Sequence, residues 1–234
     1  RQARTEMTTS FAGTDRERNA SRSREQILDA AELLFAERGY DTTSLTEVGN
    51  HSGLSRATPG YFFGAKADLY RAVLDRCFSE AREAVLRGRD RALASQERPE
   101  VILAGVIRDY FDFLAARPTF VRLMEREALG DGPPWEGPGL GVATGPAALA
   151  AIVEELGFDA GRSEEAAHLL ISMVALCWFP LVHADTMINS LGLDARTPGF
   201  GEARKHHIVD LILNGVAGRL ASASSPSDTG SSHV

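Results

Sequence analysis

The chain holds only two cysteines in 234 residues, Cys77 and Cys177, a hundred positions apart. That scarcity excludes a disulfide framework and fits reduced, buried thiols of a cytoplasmic protein. No CxxC occurs, and none of the six histidines is paired at i, i+4, so no metal site is expected. There is no glycine-rich phosphate loop and no nucleophile elbow, so neither a cofactor nor an enzyme activity has motif support. The longest apolar run, LLISMVALCWFPLV at 169–182, is short for a bilayer span. The first 20 residues are polar and contain no apolar signal region. Strand candidates, internal repeats and coiled-coil heptads are also missing. Positive charge is not in excess: 25 Lys and Arg face 32 Asp and Glu, a net of −7. A protein that coats nucleic acid is thereby disfavoured. The imbalance is uneven, because residues 1–66 are neutral and residues 67–234 carry the whole surplus.

What remains is a chain with 44% apolar residues, arranged almost throughout at helical spacing. The expected fold is all-α: a three-helix helix-turn-helix DNA-binding head and a body of roughly six helices. Residues 42–66, TTSLTEVGNHSGLSRATPGYFFGAK, organise the rest. Ser44 and Glu47 have capping-box spacing. Leu45 and Val48 give the first short helix an apolar side, and Gly53 stops it. Leu54 follows as an apolar plug, Ser55 is the expected cap of the next helix, and Pro59 lies in that helix's first turn. Helix, glycine turn and helix over about 20 residues is the arrangement whose second helix enters the major groove. A purely structural αα-hairpin has the same spacing. The second helix tips the balance, since it offers Arg56, Thr58, Gly60 and Tyr61 where a core helix would carry Leu, Ile and Ala. Gly60 costs roughly 0.5–1 kcal/mol against alanine inside a helix, which suggests a close approach to its backbone.

From Arg24 to Leu69 the sequence resembles the DNA-binding domain of TetR-family transcriptional repressors. The matching pieces are REQILDAAELLFAERGY and TTSLTEVGNHSGLSRATPGYFFGAKADLY, in order and in spacing. The chain departs from the family pattern at Val48-Gly49, where Ile-Ala is usual, at Ala57, where Gly is common, and at Pro59-Gly60-Tyr61, where Leu-Tyr-His is frequent. The resemblance implies DNA contact by Arg56, Thr58 and Tyr61 from the second helix, with Thr43 and Lys66 meeting phosphates. Tyr61 would stand in for a phosphate-contacting tyrosine that the family often places at the position of Gly60.

Taken in order, residues 1–21 read as a disordered arm. Its Arg16 and Arg18, with Arg22 beyond, reach phosphates in one reading and form an inert solvated tail in the other. The head is expected over 22–66. Its first helix starts after Ser23, buries Ile27, Ala31, Leu34 and Phe35, and stops at Gly39. The body, 67–221, opens with a long helix from Lys66 to about Arg89. Helices then start at Pro99, with Ile102, Val106, Tyr110, Phe113 and Leu114 as the inner stripe, and at Pro118. A glycine- and proline-rich loop, 131–146, carries Trp135, and a shorter helix follows from Pro146 to Leu156. Ser163 to about Leu191 is the most apolar helix, with a kink expected at Pro180. A last helix spans about 201–221, and 222–234 is a disordered tail.

By resemblance the last two helices form a homodimer interface, which suits a palindromic operator in double-stranded DNA. The body would hold a small hydrophobic effector, with Tyr110, Phe113, Met124, Trp135, Trp178 and His183 as candidate contacts. Ordinary core is the alternative for each aromatic. The resulting expectation is a ligand-responsive repressor. The rivals are an activator with the same head, an all-α ligand-binding or interaction protein with a structural helix-turn-helix, and an enzyme using His183 or Asp185 as a base.

Overall fold

The computed structural model describes residues 2–94, 98–133 and 163–223. Among the described residues there is no strand. The helices are α1 (Gln2–Arg38), α2 (Leu45–His51), α3 (Thr58–Phe63), α4 (Lys66–Ala94), α5 (Pro99–Ala116), α6 (Pro118–Ala128), α7 (Ser163–Val182) and α8 (Pro198–Ala223), with a π-helical turn at Ala184–Ile188. The glycine-rich loop beyond 133, Trp135 and the expected Pro146–Leu156 helix lie outside the described residues.

Two compact units emerge. The head unit comprises Arg1–Ala81 and Arg117–Gly145; the body unit comprises Arg82–Ala116 and Pro146–Val234. The head is therefore larger than the expected 22–66. It takes in the first half of α4 and the whole of α6 because the apolar faces of α1, α4 and α6 share one core. Ile27, Ala31, Leu34 and Phe35 of α1 are buried, as are Leu69, Val73 and Cys77 of α4 and Phe120 and Leu123 of α6. Phe35, Tyr40 and Tyr70 pack edge to face at its centre, with ring centroids 4.9 and 5.1 Å apart.

The N-terminal arm is a correction. Helix α1 begins at Gln2, not after Ser23. Between Gln2 and Arg38 there is no proline and one glycine, Gly13, so nothing local stops the helix, and Ser23 lies inside it. At its other end α1 is closed twice. Gly39 has φ +87°, and Arg126 of α6 donates to the terminal carbonyls of Ala36 (3.0 Å) and Glu37 (2.9 Å).

A buried carboxylate locks three helices of the head unit together. Glu32 of α1 is only 4% exposed. It accepts from Arg76 of α4 (2.8 Å), from Arg117 beside α6 (2.8 and 3.0 Å) and from the Thr119 hydroxyl (2.6 Å). Burial would raise its pKa; the Thr119 hydroxyl and the Arg117 and Arg76 guanidiniums outweigh that and hold the carboxyl below its usual range. Arg76 also pairs with Asp29 and Glu25, and Arg117 with Glu80.

In the body unit α5 packs on α7 and α8. The buried stripe of α5 is Leu103, Ile107, Phe111 and Leu114. The expected stripe through Val106, Tyr110 and Phe113 is turned to the flank, where all three are half-buried. Phe111 lies beside Gly201 of α8, where a Cβ would make an ordinary contact with its ring at 3.6 Å. Pro180 is buried inside α7, which ends at Val182 and gives way to the π-helical turn and then to Gly192 at φ +74°. The expected continuous helix to Leu191 is thus broken one turn past the proline. With its polar first turn included, Glu164–Val182 has mean hydropathy 1.7 and is long and apolar enough to cross a membrane by length and composition, which corrects the reading from the shorter run.

Candidate nucleic-acid interface

The reading head is built by local chemistry. Ser44 sits in extended backbone and caps α2 with a full capping box: its hydroxyl accepts from the Glu47 amide at 3.2 Å, and the Glu47 carboxylate accepts from the Ser44 amide at 2.9 Å. The Ser44 hydroxyl also donates to that carboxylate at 2.8 Å, and this bond with the one from the Ser44 amide keeps the Glu47 carboxyl below its usual range. Arg38 of α1 reaches Glu47 at 3.3 Å and ties the start of α2 to the end of α1. Gly53 takes φ +72° in the turn. Gly49 brings the two short helices together: a Cβ there would lie 2.8 Å from the Ser55 carbonyl oxygen and 3.0 Å from the Arg56 Cα. Within the head, a Cβ on Gly60 would meet only Leu45, at 3.9 Å, so the close internal approach is at Gly49.

Helix α3 starts at Thr58, with Ala57 at the cap position and Pro59 in the first turn. Ser55 does not cap it; its hydroxyl pairs with that of Thr58 at 2.7 Å. The Arg24 guanidinium lies 4.6 Å from the centre of the Phe63 ring and pins the end of α3 to α1. With its inner side held so, α3 turns Tyr61 outward, and Arg56 is exposed just before the helix. Tyr61 is 85% exposed, more than any other large apolar side chain described, and packs edge to face on Phe62.

The two expected phosphate contacts from outside α3 are corrected. Thr43 is 2% exposed, and its hydroxyl donates to the Gly39 carbonyl at 2.9 Å, so its side chain cannot reach DNA. Lys66 is turned inward: its ammonium donates to the Tyr40 carbonyl at 2.9 Å and lies 4.1 Å from the centre of the Tyr40 ring. Both act as staples of the head. Of the expected contacts in this segment, Arg56 and Tyr61 are exposed, and Thr58 is half-buried with its hydroxyl paired to Ser55.

The effector candidates divide. Met124 belongs to the head unit, whereas Tyr110, Phe113, Trp178 and His183 belong to the body unit, where all four are half-buried. Trp135 lies outside the described residues. The His183 ring stands 4.4 Å from that of Phe179, at the point where α7 passes into the π-helical turn. Sequence reasoning missed Arg204 of α8, whose side chain is turned into the body unit and donates to the Leu176 carbonyl of α7 at 3.0 Å.

A short second helix set on a glycine turn, with Arg56 exposed just before it and Tyr61 exposed on it, is a helix-turn-helix arrangement. Residues 27–73 match the profile described as bacterial regulatory proteins of the tetR family, and residues 99–212 match that of the tetracyclin repressor-like C-terminal domain. Together they cover more than half of the chain, which belongs to the TetR family. Among curated relatives, the biofilm operon icaADBC HTH-type negative transcriptional regulator IcaR of Staphylococcus epidermidis is 31% identical over 67 residues, 29% of this chain and 36% of its own length. The HTH-type transcriptional activator FasR of Mycolicibacterium smegmatis is 30% identical over 91 residues, 39% of this chain and 40% of its own. These matches span well under two thirds of those relatives. A crystal structure of a TetR family transcription regulator from Marinobacter aquaeolei VT8 shares the fold, with TM-score 0.64 and 19% identity over 83% of this chain and 97% of that one. Members of this family are described as bacterial regulatory proteins.

Proposed function

We propose that this regulator is a repressor that binds a palindromic operator as a homodimer and releases it when a small hydrophobic effector enters the body unit. The observation that carries the reading is the exposure of Arg56, just before α3, and of Tyr61 on it, with Gly49, Arg24 and the capping box holding the head together behind them. Arg56 is suited to guanine or phosphate, and Thr58 and Tyr61 to phosphate and thymine methyl groups.

Dimerisation is supported by the apolar surface that a single body unit leaves uncovered. On α7, Ile171 is 63% exposed and Val174 lies on the same side; on α8, Leu211 is 49% exposed. Only 22% of the Glu164–Val182 stretch is buried. A second copy of the same two helices would cover it, and two heads would then read two half-sites roughly 34–36 Å apart. Effector binding is supported by the half-buried Tyr110, Phe113, Trp178 and His183. The coupling would act through α4, which runs from the head unit into the body unit, by changing the separation of the two heads. The protein would act in the cytoplasm. An activator with the same head is the second reading, favoured by the name of one curated relative.

Selection of the full-length protein on random duplexes at two salt concentrations tests the proposal. An enriched palindrome is the expected result. Retention without enrichment that vanishes at higher salt would mean non-specific charge attraction and would overturn it.

A further inference from the structure

Pro180 has no amide proton, so the carbonyl of Leu176, four residues earlier in α7, loses its helical donor. Arg204 of α8 supplies the replacement, donating from Nη2 at 3.0 Å. This explains why a guanidinium points inward at that place. It does not explain the rest of the group. Nε of Arg204 is buried and has no hydrogen-bond partner among the described residues. No described carboxylate lies within ion-pair distance of it, in contrast to Arg76, Arg117 and Lys205. Arg76 has Glu32, Asp29 and Glu25; Arg117 has Glu32 and Glu80; Lys205, next in the chain to Arg204, has Asp112 and Glu202. Burial lowers the Arg204 pKa, with the neighbouring Cys177 pulling the other way. A guanidinium stays charged regardless, so the half-buried Arg204 carries a positive charge that no described carboxylate offsets.

The surroundings restrict what can neutralise it. Arg204 stands where α5, α7 and α8 meet: Leu176 and the buried Cys177 belong to α7, and on α5 the buried Phe111 packs against Gly201, one turn before Arg204. Tyr110 of α5 is close enough to Cys177 for the two to perturb each other. The lining is apolar with one unmatched charge. A single negative charge on an apolar skeleton fits; a phosphate dianion would leave a charge over. The planar fork of a guanidinium matches a carboxylate in shape as well as charge.

We infer that Arg204 anchors a carboxylate-bearing ligand at the seam of α5, α7 and α8, and that this ligand is the effector. The second half of that statement rests on the effector-controlled reading above. The carboxylate accepts from the Nε side of Arg204, while Nη2 keeps its bond to Leu176.

The test uses the full-length protein and two matched pairs of probes, octanoate with octanamide and phenylacetate with phenylacetamide, measured by calorimetry and, in the same samples, by release of the selected duplex. In the wild type at least one acid should bind about tenfold or more tightly than its amide, the difference expected for a charge-assisted hydrogen bond over a neutral one. R204Q can still donate to Leu176 but carries no charge, and should lose the preference; R204K should keep part of it. If R204Q folds poorly, P180A/R204Q restores an amide donor to Leu176 and separates repair of α7 from anion binding. The carboxylate site is overturned if neither acid binds, if acid and amide bind equally, or if the glutamine variant keeps the preference. If an acid binds with the preference but leaves the duplex bound, the site stands and the effector reading falls. If only the amides bind and release DNA, the effector reading stands and the carboxylate site falls.

Discussion

Replacing Glu32 by glutamine probes the centre of the head unit. The carboxylate is 4% exposed and accepts from two guanidiniums and one hydroxyl. Glutamine has nearly the same shape, but it brings an NH2 among donors and removes the only buried negative charge between Arg76 and Arg117. Breaking a buried pair by losing one partner costs about 3–5 kcal/mol. The lower end applies here, because Arg76 keeps Asp29 and Glu25, and Arg117 keeps Glu80. For a chain of this length about 3 kcal/mol lowers the melting temperature by about 6–12 °C. The pH dependence carries a second signature. The folded carboxyl titrates below its ordinary value, near 4.3 in the unfolded chain, so its contribution is complete above about pH 4.3 and fades as pH falls through the folded pKa. Wild-type stability should therefore drop more steeply with acid below about pH 4 than that of E32Q. Urea unfolding followed by circular dichroism from pH 3 to 7 measures both. E83Q, which loses only an exposed pair with Arg87, serves as the near-neutral control. A loss under about 1 kcal/mol for E32Q, or parallel acid limbs for the two proteins, would refute the reasoning.

Further expectations bear on the reading head. Lys66→Met should cost about 1–2 kcal/mol of stability through the lost Tyr40 contacts, yet leave the salt dependence of operator binding unchanged; a salt slope reduced by about one would show that the ammonium meets phosphate after all. Arg56→Ala should leave the melting temperature within a degree or so and weaken the best duplex by about 1–3 kcal/mol if it reads a base; equal weakening on every duplex would make it a phosphate contact. Ser44→Ala should destabilise by about 1 kcal/mol through loss of the capping box, measured by thermal melts. Both thiols are buried, with pKa values pushed up to about 12, so a thiol reagent at pH 8 should react with neither until the protein is unfolded; fast labelling of either in the folded protein would contradict its placement.

The head was legible because its instructions are local. Ser44 and Glu47 cap α2 within one turn, and Gly39 and Gly53 take the left-handed backbone their positions demand. Side-chain roles that depend on distant partners were not legible. Lys66 at the start of a helix looks solvent-facing until Tyr40, 26 positions earlier, is seen beneath it. Thr43 looks like a free hydroxyl until the end of α1 folds over it. On α5 apolar residues occur on more than one side, so periodicity could not decide between Tyr110 and Phe111; packing against α7 and α8 buries Phe111. Arg204 gave no signal, since its role depends on a proline in another helix. At the N-terminus, low hydrophobicity was taken for disorder although no helix breaker stood in the way.

Gly49 has a consequence for how such a reader changes its target. With the Ser55 carbonyl and the Arg56 backbone filling the space beside it, α2 and α3 have no hinge between them. The pair moves like a stamp: it can be tilted or lifted whole, but its own angle is not adjustable. On the proposed reading, drift towards a new operator runs through exchange of the side chains at positions 56, 58 and 61, one letter at a time. A change at position 49 would instead deform the stamp and spoil every letter together.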